Sequence, residues 1–254
     1  ECVIQGLKLM FLLKDAEVVA AGSTRNVYRH PDDPNLLIKV IRPSAVKERF
    51  ERGAPWYKLN VKRRRYRHLI AYLREIREQI AVHATGSEHP PFLQKIVGVV
   101  ETDMGMGFVV EAVRGRDGAY APTVAELIQR GEMDQSAWDK LGTFFQDLMN
   151  SPVIVADLHP SNVVLGYTPE HGDHFVLIDG IGFKNIIPIV RMSARANRWS
   201  KSRKVKRLRT AVEAQVARVA AGETMVEESR PKGAVRRSNL AGKGRTLIIT
   251  LAGL

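Results

Sequence analysis

Short apolar runs separated by turn residues occupy the first part of the chain. Three of them lie between Ala16 and about Ile41, divided by a turn at Gly22-Ser23-Thr24 and another from His30 to Asn35. Short runs of this kind, joined by tight turns, predict a three-stranded antiparallel meander. Two more strands are predicted further on, at Gln94 to Thr102 and Gly107 to Val113.

A long helix is predicted between the third and fourth strands, from roughly Tyr57 to His83. Its apolar residues recur at spacings of 4, 3 and 4, which predicts one buried stripe made of Leu69, Leu73, Ile76 and Ile80. Residues 1–113 therefore predict five strands with one helix inserted after the third.

Beyond Gly118 the apolar period changes from two to about 3.6 residues, which is typical of helices. Thr123 and Glu126 have the spacing of a capping box at a helix start. A second helix is predicted over Gln135 to Asn150, and a third near Ser193 to Ala221. The apolar face of the third helix consists of Val205, Leu208, Val212, Val216 and Val219.

Two extended runs interrupt this helical part, at Val153 to Ala156 and at Phe175 to Ile178, on either side of a turn-rich stretch from Gly166 to Asp173. The order of elements predicts an α+β protein with a β-rich first part, residues 15–113, and a helical second part, residues 114–222. The remaining stretch, 223–254, holds Gly, Pro, Ser and charge without a sustained period, and we expect most of it to be mobile.

Charge narrows the classes of partner. The chain has 39 Lys and Arg against 27 Asp and Glu, a net charge of +12, which favours an anionic partner. The single cysteine, Cys2, excludes an internal disulfide, and no Cys and His residues have the spacing of a zinc site. The apolar run from Leu9 to Leu13 is too short to cross a bilayer. We therefore predict a cytoplasmic protein with no export signal and no membrane span.

Basic residues dominate the stretch 191–209, where no acidic residue occurs. On a helix they would form a broad positive surface beside Trp199, suited to RNA, an acidic protein or lipid headgroups. A solvated helix face with no partner explains the same pattern. A second basic cluster lies at Lys62-Arg63-Arg64-Arg65, at the predicted start of the first helix.

The strongest chemical signal is Asp157-Leu158-His159-Pro160-Ser161-Asn162, followed by Leu177-Ile178-Asp179-Gly180. Phosphoryl transfer from a nucleotide needs a carboxylate to accept the acceptor's proton, together with an amide oxygen and a second carboxylate on a metal. Asp157, Asn162 and Asp179 have the types and order for these three roles. Mg²⁺ suits so sparse a set of protein oxygens. Each of the three residues alone would more often tie up a loop or a turn; it is the ordered set that favours chemistry.

These two strings are similar to the catalytic loop and metal-binding Asp of the protein-kinase-like superfamily, and the His-Pro pair resembles its aminoglycoside and choline phosphotransferase branch. More closely, the chain resembles the PhoP regulatory network protein YrbL family over about residues 15–215. The strings that carry this resemblance are Asn26-Val27-Tyr28-Arg29-His30-Pro31-Asp32-Asp33, Leu37-Ile38-Lys39-Val40, Val100-Glu101-Thr102-Asp103-Met104-Gly105-Met106-Gly107 and Ile178-Asp179-Gly180-Ile181-Gly182.

The resemblance implies a bilobal kinase-like fold, with a five-stranded antiparallel sheet and one helix in the first lobe and a reduced helical second lobe. It implies ATP and Mg²⁺ as cofactors and an acceptor that it does not identify. Lys39 would hold the nucleotide phosphates, Gly22, Ser23 and Thr24 would cover them, and the connector from Glu111 to Val113 would meet the adenine. Asp157 would be the catalytic base, with Asn162 and Asp179 as metal ligands.

Several departures from the kinase pattern open a second interpretation. Val155 stands where kinases have a His, and no Glu occupies the expected position of the partner of Lys39. Glu75, Glu101 or Glu111 could replace that partner, or Lys39 could meet phosphate directly. Strand alternation also allows Lys39 to point into water. The alternative function is a regulatory module without catalysis.

Overall fold

The computed structural model describes residues 10–22, 24–45, 69–84, 88–182 and 193–222. All of them belong to one unit of compact contacts, residues 1–224. The predicted first turns of the long helix at 57–68, the basic cluster at 62–65 and the tail 223–254 lie outside the described residues, as does Ser23. Among the described helices, none combines the length and the apolar character needed to cross a bilayer.

A five-stranded antiparallel sheet forms the first part of the molecule, as predicted. Its strands are β1 (Val18–Ala21), β2 (Arg25–Arg29), β3 (Leu36–Ile41), β4 (Ile96–Thr102) and β5 (Gly105–Glu111). Their spatial order is β1-β2-β3-β5-β4. Helix α1 (Ile70–Ala84) follows the third strand. The α+β class and the insertion of the helix after the third strand are confirmed.

The two faces of the sheet bury different sets of side chains. Ile38 and Val40 of β3 pack with Phe11 and Leu13 of the N-terminal segment. Leu37 and Ile41 of the same strand face the other way, toward a cluster around Tyr72 of α1 and Phe108 of β5. Lys39 lies on the same face as Leu37 and Ile41, and it is buried to the same degree as these two residues. The alternative in which Lys39 points into water is therefore wrong.

The buried face of α1 is not the apolar stripe that the spacing predicted. Leu73 is 38% exposed and Ile80 is 60% exposed. Only Leu69 and Ile76 of the predicted stripe are partly buried, against the cluster around Tyr72 and Phe108. The buried side chains of the helix are Tyr72, Glu75, Glu78, Gln79 and Val82. Three of these are polar, and buried polar groups need specific partners. For Glu75 and Glu78 these partners, Arg25 and the N–H of Ile154, come from distant parts of the chain. The periodicity of the helix alone could therefore not show which face is buried.

The helical part agrees with its local signals. Helix α2 (Val124–Gln129) begins at Thr123, where the predicted capping box with Glu126 is formed, and helix α3 (Gln135–Asn150) has the predicted bounds. Helix α4 (Ala194–Ala220) is capped by Ser193. Its predicted apolar face packs into the core shared with α2 and α3: Leu208 and Val212 are buried, and Val205, Val216 and Val219 are partly buried.

A β-hairpin was only half predicted. Strands β6 (Val163–Thr168) and β7 (Gly172–Leu177) pair antiparallel. The sequence predicts a turn that begins at Gly166, but this residue lies inside β6, where a Cβ would stand 2.5 Å from the Val113 side chain. The glycine thus marks a close approach of the strand to its neighbour. The predicted extended run at 153–156 is a loop in which Val155 forms an isolated bridge to Ile181.

Lys201 belongs to the core of the helical part rather than to the predicted basic surface. It is 1% exposed, and its Nζ donates hydrogen bonds to the carbonyls of Leu148, at 2.6 Å, and Ser151, at 2.5 Å. Both carbonyls lie at the C-terminal end of α3, where backbone acceptors lack helical partners. Lys201, a residue of α4, thereby caps the C-terminal end of α3.

Lys201 should give the protein a characteristic pH dependence of stability. Burial, with Arg198 acting in the same direction, lowers the pKa of Lys201 from 10.5 to about 8. Between pH 8 and 10.5 the unfolded chain holds this proton and the folded chain releases it, so the stability that Lys201 contributes rises with pH. The gap in unfolding free energy between wild type and Lys201→Met should widen by on the order of 2 kcal/mol from pH 7.5 to 10.5.

Urea unfolding at both pH values measures that gap. Lys206→Met, at an exposed lysine of the same helix, is the matched control and should keep a constant difference from wild type. Parallel profiles for wild type and Lys201→Met would contradict the assignment.

Candidate functional site

Backbone hydrogen bonds join the two loops that carry the strongest chemical signal. The N–H groups of Ala156 and Asp157 both donate to the carbonyl of Gly180, at 2.7 and 2.9 Å. The N–H of Ile178 donates to the carbonyl of Asn162, at 2.9 Å. These bonds place the segment 156–162 beside the segment 178–180, so Asp157, Asn162 and Asp179 are brought to one place.

Gly180 makes this close approach sterically possible. Its φ is +84°, a left-handed conformation that favours glycine. A Cβ on this residue would lie 2.0 Å from the carbonyl oxygen of Asp157 and 3.2 Å from Nδ2 of Asn162. The residue after Asp179 therefore has to be very small for the two loops to meet as they do.

A short 3₁₀ turn holds Asn162 in position. The turn spans Pro160–Asn162, with Pro160 buried and the ring of His159 accepting from the N–H of Ser161 at 3.3 Å. The carbonyl of His159 also accepts from the N–H of Asn162, at 2.9 Å. His159 is exposed, and its ring and its carbonyl both accept hydrogen bonds within its own loop. Asp157 is exposed and Asn162 is half-buried.

Lys39 reaches the same place from the sheet. Its Nζ donates to Oε1 of Gln94 at 2.5 Å and to the carbonyl of Ile178 at 2.6 Å, next to Asp179. Tyr72 donates its hydroxyl hydrogen to the Lys39 carbonyl at 2.8 Å, which ties β3 to α1. Burial lowers the pKa of Lys39 to about 8, and the nearby Asp179 opposes this effect. The ammonium group therefore lies in a poorly hydrated position beside the two loops.

None of the three glutamates predicted as possible partners of Lys39 forms an ion pair with it in the described structure. Glu75 is bound to Arg25, Glu111 forms an exposed ion pair with Lys95 at 3.1 Å, and Glu101 is exposed. Among the described residues no carboxylate forms an ion pair with Lys39. Of the interpretations left open by the sequence, the one that remains is that Lys39 has no carboxylate partner.

Arg25 is the residue that sequence reasoning missed. From β2 it donates to both carboxylate oxygens of Glu75, at 3.0 and 2.5 Å, and to Oδ1 of Asp179 at 2.6 Å. Its guanidinium also lies 5.6 Å from the centre of the Tyr72 ring. The side chain of Arg25 therefore connects the sheet to helix α1 and to the loop at Asp179. The register pairs Val27 with Lys39, so Arg25, two residues before Val27, shares the face of Lys39. This shared face can be recognised only when the pairing of β2 with β3 is known, and the sequence alone does not show that pairing.

The electrostatics of this cluster are those of a buried ion pair. Burial lowers the pKa of the Arg25 guanidinium, but Glu75 and Asp179 raise it by more, so its pKa lies above the ordinary value. Burial raises the pKa of Glu75, and the ion pair with Arg25 opposes that shift. Fork-shaped contact between guanidinium and carboxylate is the strong form of this interaction. Arg25 is therefore a permanent positive charge against Asp179.

Two of the residues predicted to cover phosphates, Gly22 and Thr24, lie in the turn between β1 and β2. The N–H of Gly22 donates to the Arg25 carbonyl at 2.8 Å, and the carbonyl of Thr24 accepts from the N–H of Arg42 at 3.0 Å. Ser23 lies outside the described residues. The turn precedes Arg25 directly, so it stands at the same end of the sheet as the Arg25 contacts, but the N–H of Gly22 is already used within the turn.

The residues predicted to meet a nucleobase border a cavity of about 280 Å³. Its lining includes Gln94, Glu111, Val113 and Val176. The Glu111 carbonyl accepts from Nε2 of Gln94 at 2.7 Å, and the Val113 carbonyl accepts from the N–H of Ala121 at 3.0 Å. Gln94 therefore bridges Lys39 and the edge of the cavity. A carbonyl has two lone pairs, so both can accept a further hydrogen bond.

The donor set matches a magnesium ion better than a transition metal. Across the residues that the structure describes, no three His, Cys, Asp or Glu side chains gather as metal ligands. Two carboxylates and one amide remain, and hard oxygen donors in small number suit Mg²⁺, which keeps waters and phosphates as its other ligands. Asp179 is 41% exposed and uses Oδ1 for both Arg25 and the N–H of Gly180. Within the described structure Oδ2 has no such bond.

These observations define an α+β protein in which two loops and two strands converge on a cluster of charged side chains. The chain belongs to the family described as PhoP regulatory network protein YrbL, whose model matches residues 11–213. It is 24% identical over 206 residues to the Uncharacterized protein YrbL of Escherichia coli (strain K12), an alignment that covers 78% of this chain and 84% of that one. The Uncharacterized protein YrbL of Shigella flexneri is similar to the same extent.

Proposed function

We propose that the protein binds Mg-ATP between its β-rich and helical parts and transfers the γ-phosphoryl group to an acceptor of unknown identity. The observation that carries this proposal is the set of three backbone hydrogen bonds between the two loops, two to the Gly180 carbonyl and one to the Asn162 carbonyl, which brings Asp157, Asn162 and Asp179 together. Phosphoryl transfer depends on positioning and on charge stabilisation more than on covalent chemistry by the protein. A fixed pair of loops is what such positioning requires.

Each residue has a chemical task in this proposal. Asp157 is exposed and accepts the proton of the attacking hydroxyl, while the acceptor oxygen bonds to the γ-phosphorus and the bond to the β-phosphate oxygen breaks. Bound Mg²⁺ supplies charge neutralisation of the phosphates. Asn162 and Asp179 would hold the ion through oxygens. Lys39, a buried cation beside them, would meet the phosphates directly.

The fold proposed for this function is the bilobal arrangement of the protein-kinase-like superfamily. Residues 15–113 would form the first lobe and residues 114–222 a reduced second lobe. The five-stranded sheet with its inserted helix and the loop motifs in the helical part support this placement. The cavity beside Glu111 and Val113 supports a nucleobase position between the two parts.

Thermal unfolding with and without nucleotide tests the proposal. At ATP concentrations a hundredfold above Kd, binding stabilises a protein by about 2.7 kcal/mol, a rise in Tm of roughly 5–10 °C for a domain of this size. We expect this rise for wild type with Mg²⁺ and its loss for Asp179→Ala. Asp173→Ala removes a carboxylate that pairs with Arg116 and should keep the full response. An equal response in Asp179→Ala and wild type would disprove the metal role.

Replacement of Asp157 should separate binding from chemistry. A positioned general base contributes 10²–10⁴-fold to rate, so Asp157→Asn should lower Mg-dependent release or transfer of the γ-phosphate from radiolabelled ATP by at least roughly a hundredfold. The Mg-ATP rise in Tm should be unchanged, because Asn keeps the size of the side chain. Turnover within about threefold of wild type would contradict the role of Asp157.

A second function is favoured by one specific contact. Arg25 already neutralises Asp179 at 2.6 Å, and a permanent cation there would replace a metal in a regulatory module without catalysis. Val155, buried where kinases place a histidine, agrees with this alternative. This second function predicts that ATP raises Tm by the same amount in the presence of Mg²⁺ and in the presence of EDTA. The first function predicts stabilisation only with Mg²⁺.

A further inference from the structure

Helix α4 presents a continuous cationic face to solvent. Its exposed residues at spacings of three, four and one are Arg195, Trp199, Arg203, Lys206 and Arg207. On a helix these spacings place the five side chains on one side. The run from Arg195 to Arg207 extends for about 18 Å along the helix axis. No acidic residue precedes Glu213 in the helix, and Glu213 pairs with Arg209 at 3.0 Å.

The orientation of this face is fixed by the opposite side of the helix. Leu208 and Val212 are fully buried in the core of the helical part, and Lys201 bonds to the end of α3. The helix therefore cannot turn its cations inward or its apolar side outward without unfolding that core. No acidic residue of the helix offsets the charge of the exposed face. An anion bound there would therefore be attracted by all of its cations.

Trp199 gives this face a feature that a solvated basic helix does not need. Its side chain is 63% exposed, although most large aromatic residues are buried. Arg203, one turn further along the helix, holds its guanidinium 4.8 Å from the centre of the indole. The arginine and the indole form a cation-π pair at the surface. An aromatic ring beside a fixed cation can stack a nucleobase while the cation meets its phosphate.

We propose that this face of α4 binds single-stranded nucleic acid. The cations would follow the phosphate backbone, and Trp199 would stack one unpaired base. A lipid surface fits less well, because an interfacial helix inserts its apolar side and that side of α4 is packed in the core. An acidic protein would use the charges but leave the indole without a role. A base in a duplex is already stacked and would not be available to Trp199.

Fluorescence anisotropy with a labelled 15-nucleotide oligo(U) RNA tests the proposal on the full chain. EDTA is present and ATP is absent, so failure would leave the Mg-ATP proposal untouched. If roughly four phosphates are neutralised, log K should fall with log[KCl] with a slope of about −3. The triple variant R195Q/R203Q/K206Q should reduce the steepness of that slope by about 2. Trp199→Ala should weaken binding roughly tenfold with no change in slope.

The matched control removes three exposed arginines outside α4: R29Q/R77Q/R130Q. It lowers the net charge by the same amount and should keep the wild-type affinity and slope. Trp199→Phe, which retains a ring, should restore most of the affinity lost in Trp199→Ala. Circular dichroism of each variant excludes loss of fold as the cause.

Four results would overturn the proposal. They are absence of RNA binding, equal weakening by the two triple variants, an unchanged affinity in Trp199→Ala, and equal or tighter binding to polyglutamate, to duplex RNA or to phosphatidylglycerol vesicles. Preference for the single strand with loss in both α4 variants would support it.

Discussion

Gly180→Ala is expected to destabilise the protein by about 2–5 kcal/mol and to abolish the Mg-ATP rise in Tm that the proposed function predicts. A left-handed φ costs an alanine about 1–2 kcal/mol, and overpacking of a tight contact costs about 1–3 kcal/mol or more. Both apply here, because the new Cβ would stand 2.0 Å from the Asp157 carbonyl oxygen at a φ of +84°. Relief requires the two loops to separate, which would break the hydrogen bonds from Ala156 and Asp157.

Gly118→Ala is the control that separates conformational strain from the close approach. Gly118 has a similar φ of +78°, but a Cβ there would meet nothing within 4 Å. We expect this variant to lose only the conformational cost of about 1–2 kcal/mol and to keep the full rise in Tm with Mg-ATP. Urea unfolding and thermal unfolding measure the two effects. Equal losses of stability in both variants would show that the contact at Asp157 is not what requires glycine.

Arg25→Met is expected to cost about 3–5 kcal/mol of unfolding free energy, since it leaves a buried carboxylate without its partner. Glu75 is 5% exposed and makes its ion pair with Arg25. The penalty therefore comes mainly from the uncompensated charge on Glu75 rather than from the lost attraction. Asp179, which is 41% exposed, should contribute less because water can replace its contact.

A double variant shows whether this explanation is correct. Arg25→Met combined with Glu75→Met removes both charges, and replacement of a whole buried ion pair by apolar residues is often close to neutral. We expect most of the stability to return, which gives a large coupling energy in a double-mutant cycle. If the double variant loses as much stability as the two single variants together, the two residues do not act as a pair.

The same double variant also distinguishes the two proposed functions. If Asp179 holds Mg²⁺, removal of the competing cation should preserve or strengthen the Mg-dependent ATP response. If Arg25 has replaced a metal in a regulatory module, wild type should respond to ATP without Mg²⁺, and the double variant should acquire a dependence on it.

The elements that the sequence predicted well are those whose signals are local. The capping box at Thr123, the bounds of α3 and the inward face of α4 depend on residues within a few turns of one another. The meander of β1 to β3 is similar, because its turns are short. Such signals depend on backbone preferences and periodic burial, which are visible without a partner element.

The candidate site was predicted in part for the same reason. Asp157, Asn162 and Asp179 stand in short strings of characteristic order, so a motif could identify them. Arg25 and Gln94 could not be found in this way, because each acquires its importance only from contacts to residues 50 or more positions away, Glu75 and Lys39 respectively. The prediction of the buried face of α1 was wrong for the same reason, namely contacts between residues far apart in the chain. Its stripe of Leu73 and Ile80 looked apolar, but Glu75 and Glu78 have distant partners that make their burial favourable.

By itself, the sequence determined most of the segments that form strands and helices, where the candidate residues Asp157, Asn162 and Asp179 lie along the chain and that the last described helix is strongly basic. Only the tertiary structure decided that Arg25 rather than Lys39 pairs with Glu75, that Lys201 is buried, and that Trp199 is exposed in contact with Arg203. The physical reason is that secondary structure depends on neighbours in the chain, whereas the burial and pairing of a charge depend on desolvation and on opposite charges. Those charges come from elements that meet only after folding.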